Sequence, residues 1–373
     1  MGKRTEILYL SEPDMIQSGV LDSARCVDVL GEVFQLMGVG DYLMGGHNHN
    51  EHGHSIVFPK TSKFPNMPIA GPDRRFTAMI AYLGGRFNIC GEKWYGSNIA
   101  NPARGLPRSI HLSVLNDPDT CEPFAIMSAN LVSAIRTGCV PALSTRYLAR
   151  KDAKVCALIG AGPINKAAFQ AIATQIKTLE EVVVYDLFPD KSETLIEWAE
   201  AETGIKGRVA ATLEDAVRSG DIINCAASRL KPVYILDEWI PKGSVVILSG
   251  AALFDDAALL NCQVVYDNPH MQEAYKSEEI YFETKEEFYN TQKGGQFFRL
   301  IDEGRLPPFI ETPSLCKMAI GEQNGRTNDD ERFIFLTAGM SVFDVAWSYE
   351  CYYNANKLGL GTKLLLWDNP YWY

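Results

Sequence analysis

Chemistry in this chain of 373 residues is suggested first by glycines and an acid at fixed spacing. Gly160-Ala161-Gly162 follows an apolar run, Val155 to Ile159, and precedes an amphipathic segment reaching about Lys177; a second apolar run, Val182 to Tyr185, ends in Asp186. Strand, tight glycine turn, helix, strand and acid, in that order, form the first βαβ unit of a dinucleotide-binding fold. The glycines let the backbone approach a pyrophosphate, the helix start offers free N–H groups to it, and an acid about 20 residues on accepts the ribose hydroxyls. Gly160, Gly162, Pro163, Ile164, Asn165 and Asp186 are therefore the candidate cofactor contacts, although Asn165 stands where the fingerprint has its third glycine. Asp186 would repel a 2'-phosphate, which favours NAD over NADP.

Two further stretches carry reactive residue types. Arg136-Thr137-Gly138 departs from an apolar helical pattern; an arginine beside a small hydroxyl suits anion contact, and it equally suits pairing with an acid. Gly45 to His54 holds four of the six histidines. Alternating histidines can present imidazoles to one ion, but the glycine and asparagine between them predict a solvated or substrate-facing loop, and no metal is expected.

The elements that must position these residues follow from periodicity. Ile7 to Leu10 reads as a strand, Ser11-Glu-Pro-Asp14 opens a helix, and Val27, Leu30, Val33, Phe34 and Met37 mark a second helix. Residues 55–127 alternate apolar runs with turns, which predicts a mostly-β domain. Ser128 to about Ala149 reads as one long helix, capped by Ser128 or Asn130 and interrupted by Gly138 and Pro141. Strands beginning near 155, 182, 208, 222, 244 and 263 give the six of a doubly wound sheet, with Ser228 and Ser249-Gly250 on its carboxyl edge. Residues 271–305 read as a solvated acidic helical surface, and a helix from about Val342 to Asn356 returns the chain to the first domain.

Bulk properties exclude several classes. A net charge of -11 with no Lys/Arg run argues against a nucleic-acid partner. No apolar run is long enough for a transmembrane helix and no signal-peptide core is legible at the start, so a cytoplasmic protein is expected. Nine cysteines, an odd number without a C-x-x-C pair, fit reduced thiols better than disulfides or a zinc site.

Gly91-Glu-Lys-Trp94, Gly105-Leu-Pro-Arg108, Ser133-Ala-Ile-Arg-Thr-Gly138 followed by Arg146-Tyr-Leu-Ala149, Gly160-Ala-Gly162 and Gly359-Leu-Gly-Thr362 resemble the ornithine cyclodeaminase/mu-crystallin family over essentially the whole chain. The resemblance implies an α/β protein in which a doubly wound Rossmann NAD-binding domain, residues 146–335, is inserted into a split β-rich α+β domain for substrate binding and dimerisation, residues 1–145 plus 336–373. A homodimer is implied as well. Lys93 matches the family lysine that contacts substrate, and Arg136 the arginine that holds its carboxylate. A third cation falls near Lys60 or Lys63, and Lys60 is the candidate. Thr137, Ser228 and Gly339 are the remaining cofactor contacts implied.

Family members move hydride at a carbon bearing nitrogen, with outcomes from amino-acid dehydrogenation and ketimine reduction to ornithine cyclodeamination. The acid of the ornithine-cyclising members falls at Ala251 here, in Ser249-Gly-Ala-Ala-Leu-Phe-Asp-Asp256, and Asp255 or Asp256 could replace it only if the loop is rebuilt. An NAD(H)-dependent oxidoreductase acting on an amino acid, amine or imine is therefore expected. The alternatives are a redox-neutral lyase that releases ammonia, and a non-catalytic binding protein of the mu-crystallin kind. Asn66-Met-Pro68, Pro72-Asp-Arg-Arg75 and Lys93-Trp-Tyr-Gly96 also resemble a subgroup called tyramine oxidase subunit; an amine without a carboxylate would leave the cations unpaired.

Overall fold

The computed structural model describes residues 3–71, 73–227, 232–292 and 294–372. The chain divides into two compact units, one built from Met1–Asp22, Gly40–Arg136 and Met340–Tyr373, the other from Ser23–Val39 and Thr137–Gly339.

The first unit contains β1 (Thr5–Leu10), β2 (Tyr42–Met44), β3 (His54–Val57), β4 (Arg75–Leu83), β5 (Ile89–Ser97), β6 (Ser109–Asn116) and β7 (Pro123–Ser128). With the last strand, Thr362–Trp367, they form an eight-stranded sheet in the order last strand, β1, β7, β6, β5, β4, β2, with β3 also paired to β4. The β1–β7 pair is parallel and the others antiparallel, so the sheet is mixed. Alternation in β4 buries Thr77, Met79 and Ala81 and exposes Phe76 and Ile80, the two-residue period that gives a sheet one inner face. The helix Ser341–Leu358 packs on that face against β4, β5 and β6. Its run from Ser341 to Ser348 is wholly buried, and Ser348 Oγ meets Ser113 Oγ of β6 at 3.0 Å. A helix buried on all sides over this run lies in a core.

The second unit holds β8 (Val155–Ile159), β9 (Glu181–Tyr185), β10 (Lys206–Val209), β11 (Ile222–Cys225), β12 (Val233–Ile235), β13 (Val245–Leu248), β14 (Ala252–Phe254), β15 (Gln263–Tyr266) and β16 (Phe333–Leu336). Seven of these make one sheet, ordered β10, β9, β8, β11, β13, β16, β15, with every pair parallel. β11, β13 and β16 are buried along their whole length, as a parallel sheet covered on both faces requires. Periodicity predicts six strands. The seventh, Phe333–Leu336, slips between β13 and β15 after a long helical excursion, and its four residues are too few to show a period. β12 and β14 pair as a separate two-stranded ribbon.

One local expectation is corrected. The helix Asn130–Leu148 runs unbroken through Gly138 and Pro141. A Cβ at position 138 would stand 2.5 Å from the Ala167 carbonyl carbon, so Gly138 allows a close backbone approach rather than a break. The amphipathic helix Ser23–Val39 packs in the second unit against Leu315–Ala319 and Pro163–Gln175. Among the described residues no helix is long and apolar enough to cross a membrane.

Candidate functional site

The inner face of β4, β5 and β6 carries polar side chains in register. Met79, Lys93 and Ser113 lie side by side, then Thr77, Tyr95 and His111, then Arg75, Ser97 and Ser109. Lys93 is 2% exposed and Arg136, on the helix Asn130–Leu148, is 5% exposed. Between them stands Asp344 of the helix Ser341–Leu358, fully buried. Lys93 Nζ donates to both Asp344 carboxylate oxygens at 3.0 Å and to Ser133 Oγ at 3.4 Å, while Arg136 Nε donates to Asp344 Oδ1 at 3.0 Å.

Burial and charge pull on these groups in opposite senses. Burial pushes the Lys93 ammonium down to about 8, Arg136 adds to that, and Asp344 resists it. Burial would raise the Asp344 carboxyl, but Arg136 and Lys93 outweigh it and hold the group below the usual carboxylate range. Asp344 is thus an anion, and one carboxylate is shared between two cations. His111 is driven down to about 4 by burial and by Lys93, so its ring is neutral at pH 7. Its Nδ1 lies 3.1 Å from Asn130 Oδ1, which also accepts the His111 backbone N–H at 2.7 Å.

Two of the three residues expected to act on substrate, Lys93 and Arg136, are therefore brought together, through an acid that the sequence reading passed over. Lys60 is exposed on the segment after β3, and among the described residues no hydrogen bond or ion pair links it to this cluster. Arg75 is the further cation on the inner face, its Cζ 5.8 Å from the Tyr95 ring centroid. The missed signal for Asp344 was a lone carboxylate in Val342-Phe343-Asp344-Val345-Ala346; an acid in a buried apolar helix needs a cation. Among the described residues no group of three or more His, Cys, Asp or Glu could hold a metal ion. All nine cysteines are free thiols and seven are buried.

In the second unit the glycine turn has the form a pyrophosphate needs. Gly160 has φ +99, and a Cβ there would lie 2.9 Å from Ala227 Cα, whereas a Cβ on Gly162 would meet nothing within 4 Å. The space before Gly162 is thus open at the start of the helix Pro163–Gln175, whose first turn presents Ile164. Asp186 follows β9, its carboxylate accepting the Ala161 N–H at 2.8 Å and the Phe188 N–H at 3.1 Å. These residues fit a dinucleotide.

Asn165 explains its own departure from the glycine fingerprint. It is fully buried, and its amide nitrogen donates to the Ile159 and Gly160 carbonyls at 3.0 and 2.5 Å. Its amide oxygen accepts from Asn224 at 2.6 Å, and Asn224 in turn accepts from Ser249 Oγ at 2.8 Å. The side chain ties the carboxyl ends of β8, β11 and β13 together, leaving contact with a ligand to its backbone. Gly339 lies between β16 and the helix Ser341–Leu358, Thr137 lies on the helix Asn130–Leu148, and Ser228 lies outside the described residues.

Both acids near Ala251 already have partners. Asp255 caps the helix Asp256–Asn261, accepting the Asp237 N–H at 2.9 Å and the Ala258 N–H at 3.2 Å. Asp256 is ion-paired with Arg299 and Arg305. Ala251 itself is exposed and lines a pocket of about 140 Å³ beside Leu248, Leu336 and Gln296.

A parallel seven-stranded sheet with a glycine turn and an acid after β9, joined in one chain to a mixed sheet with buried cations, defines a two-unit α/β protein of the dinucleotide-binding class. The model of the ornithine cyclodeaminase/mu-crystallin family matches residues 20–358, and the chain belongs to that family. It is 28% identical over 365 residues to N-((2S)-2-amino-2-carboxyethyl)-L-glutamate dehydrogenase of Staphylococcus aureus, covering 97% of this chain and 99% of the relative. It is 30% identical over 291 residues to alanine dehydrogenase of Archaeoglobus fulgidus, covering 77% and 82%. Among solved structures, Thermococcus litoralis Delta(1)-pyrroline-2-carboxylate reductase in complex with NADH and L-proline shares the fold, with a TM-score of 0.78, 22% identity and coverage of 95% of this chain and 99% of the other.

Proposed function

We propose that this protein is an NAD(H)-dependent oxidoreductase that moves hydride at the nitrogen-bearing carbon of an amino acid, amine or imine. The observation that carries the reading is the buried Lys93–Asp344–Arg136 cluster, two cations on one anion, which suits a substrate carboxylate. The dehydrogenase and reductase names of its relatives support it. In this reading the first unit is the split substrate and dimerisation domain, and the second is the Rossmann domain inserted into it, in a homodimer. Gly160, Gly162, Pro163, Ile164 and the Asn165 backbone would hold the pyrophosphate, Asp186 the adenosine ribose, and Thr137, Ser228 and Gly339 further parts of the dinucleotide. NAD(H), when bound, takes up or supplies the hydride.

The residues of the chain then have separate tasks. Arg136 would receive the substrate carboxylate on its terminal nitrogens, since Asp344 engages it through Nε. Lys93, with a proton that leaves at about pH 8, would assist the carboxylate and hold or release a proton at Nζ. Lys60 would add a cation only if its exposed segment folded inward. Ala251, with Asp255 and Asp256 both committed elsewhere, disfavours the redox-neutral lyase, which would need an acid there to orient a substrate amino group.

The test is an assay with NAD(H) and a panel of amino acids, amines and keto-acid/amine mixtures, following reduced-cofactor absorbance beside ammonia. Net cofactor turnover supports the reading. Ammonia release without it would establish the lyase instead.

A further inference from the structure

Arg75, Tyr95 and His111 take no part in the function as proposed so far, yet they continue the face that carries Lys93. Successive rows on this face are about 7 Å apart along the strands, and Tyr95 lies in the row between Lys93 and Arg75. Lys93 Nζ stands 5.4 Å from the Tyr95 ring centroid and Arg75 Cζ stands 5.8 Å from it. One aromatic ring therefore separates two cations.

The two ends of this face are built alike. At one end Lys93 and Arg136 share the Asp344 carboxylate. At the other, Arg75 and Arg108 share the Asp73 carboxylate, which also accepts from Ser97 Oγ. They differ in access: the Lys93 and Arg136 side chains are 3% and 6% exposed, that of Arg75 39%. The face thus has a closed cationic end and an open one. His111, neutral because burial and Lys93 hold its ring at about 4, adds no third charge between them.

We propose that Arg75 is a second carboxylate site and that the substrate is a dicarboxylic amino or imino acid. One carboxylate binds at Arg136 and Lys93, the chain crosses the Tyr95 ring, and the second carboxylate binds the Arg75 guanidinium. The proposal rests on the reading of Lys93 and Arg136 as the first carboxylate site. A planar fork already held on one side by Asp73 is preorganised for a second carboxylate. A monocarboxylic substrate of equal length would place a methyl group there and gain nothing from it.

The experiment separates this inference from the redox reading by using ligands that cannot react. Binding of succinate, glutarate and adipate is compared with that of butyrate, pentanoate and hexanoate by calorimetry, on the full chain with NAD present. At least one diacid should bind about tenfold tighter than the monoacid of equal length, the worth of one additional charge-assisted contact. Arg75→Ala should bring that ratio close to one, and Arg75→Lys should restore part of it. Arg136→Lys should weaken both classes of acid. Thermal unfolding of each variant confirms that it is folded. Equal affinity for the two classes in the unaltered protein, or a ratio that Arg75→Ala leaves in place, overturns the second site. Turnover of NAD(H) on the amino-acid panel bears on the redox reading alone.

Discussion

Asp344 grips the Lys93 ammonium with both carboxylate oxygens at 3.0 Å, and Arg136 Nε shares one of those oxygens at 3.0 Å. Removing one partner of a buried ion pair costs more than the pair contributes, because the remaining charge stays desolvated. Asp344→Asn would leave two cations facing each other. The expected loss of stability is about 3–5 kcal/mol, read as a lowered urea midpoint. A midpoint within error of the unaltered protein would mean that the two cations have another counter-charge.

The pH dependence follows from the same group. Folded Lys93 loses its proton at about 8, against 10.5 for the free side chain. Between these values the unfolded chain binds a proton that the folded one has released, so this lysine makes stability rise with pH across that window. Below about pH 8 both states hold the proton and its burial cost is fully present. Urea midpoints at pH 8 and pH 10 should therefore climb more in the unaltered protein than in Lys93→Met. Activity runs the other way: kcat/KM should fall above about pH 8 as the cation is lost, and Asp344→Asn should move that fall to lower pH, because Asp344 is what holds the proton on.

Asn165→Gly would restore the glycine fingerprint and still harm the protein. Asn224 would lose the acceptor 2.6 Å from its amide nitrogen, leaving a buried donor unpaired at a cost of about 1–3 kcal/mol. Chemical denaturation measures this. Unchanged stability would show the Asn165–Asn224–Ser249 chain to be dispensable.

Replacing Asp186 by Ser should narrow the preference for NAD over NADP, because the 2'-phosphate would no longer face a carboxylate. Asp186 also accepts two backbone N–H groups, so weaker binding of both cofactors should accompany the shift. Affinities for NADH and NADPH read it directly; an unchanged ratio would remove Asp186 from the ribose site.

How much of this was legible beforehand depended on whether the signal is local. The glycine turn, Asp186 and the strand-helix alternation are written in contiguous residues, and each was readable in place. β16 was not, since four buried residues show no period and its neighbours β13 and β15 come from distant sequence. Gly138 and Pro141 carry the usual marks of a break, but the close approach to Ala167 uses the missing Cβ and the helix continues. Arg136 stood out locally as a charge in an apolar helix and Lys93 was found through family motifs; Asp344 was passed over, its partner Lys93 lying 251 residues away in the chain. The resemblance put a third cation at Lys60, whose side chain is exposed on the segment after β3, whereas Arg75 lies in register on the inner face with Cζ 5.8 Å from the Tyr95 ring.

The central claim is that cations on a buried face hold a substrate whose nitrogen-bearing carbon exchanges hydride with NAD(H). The most direct measurement follows NADH absorbance with keto-acid/amine mixtures and NAD with amino acids, comparing the unaltered protein with Arg136→Lys. The account predicts net cofactor turnover, at least about tenfold lower in kcat/KM for the variant, since Lys cannot reproduce the bidentate fork. Ammonia release with no net change in cofactor, or turnover indifferent to Arg136, would contradict it.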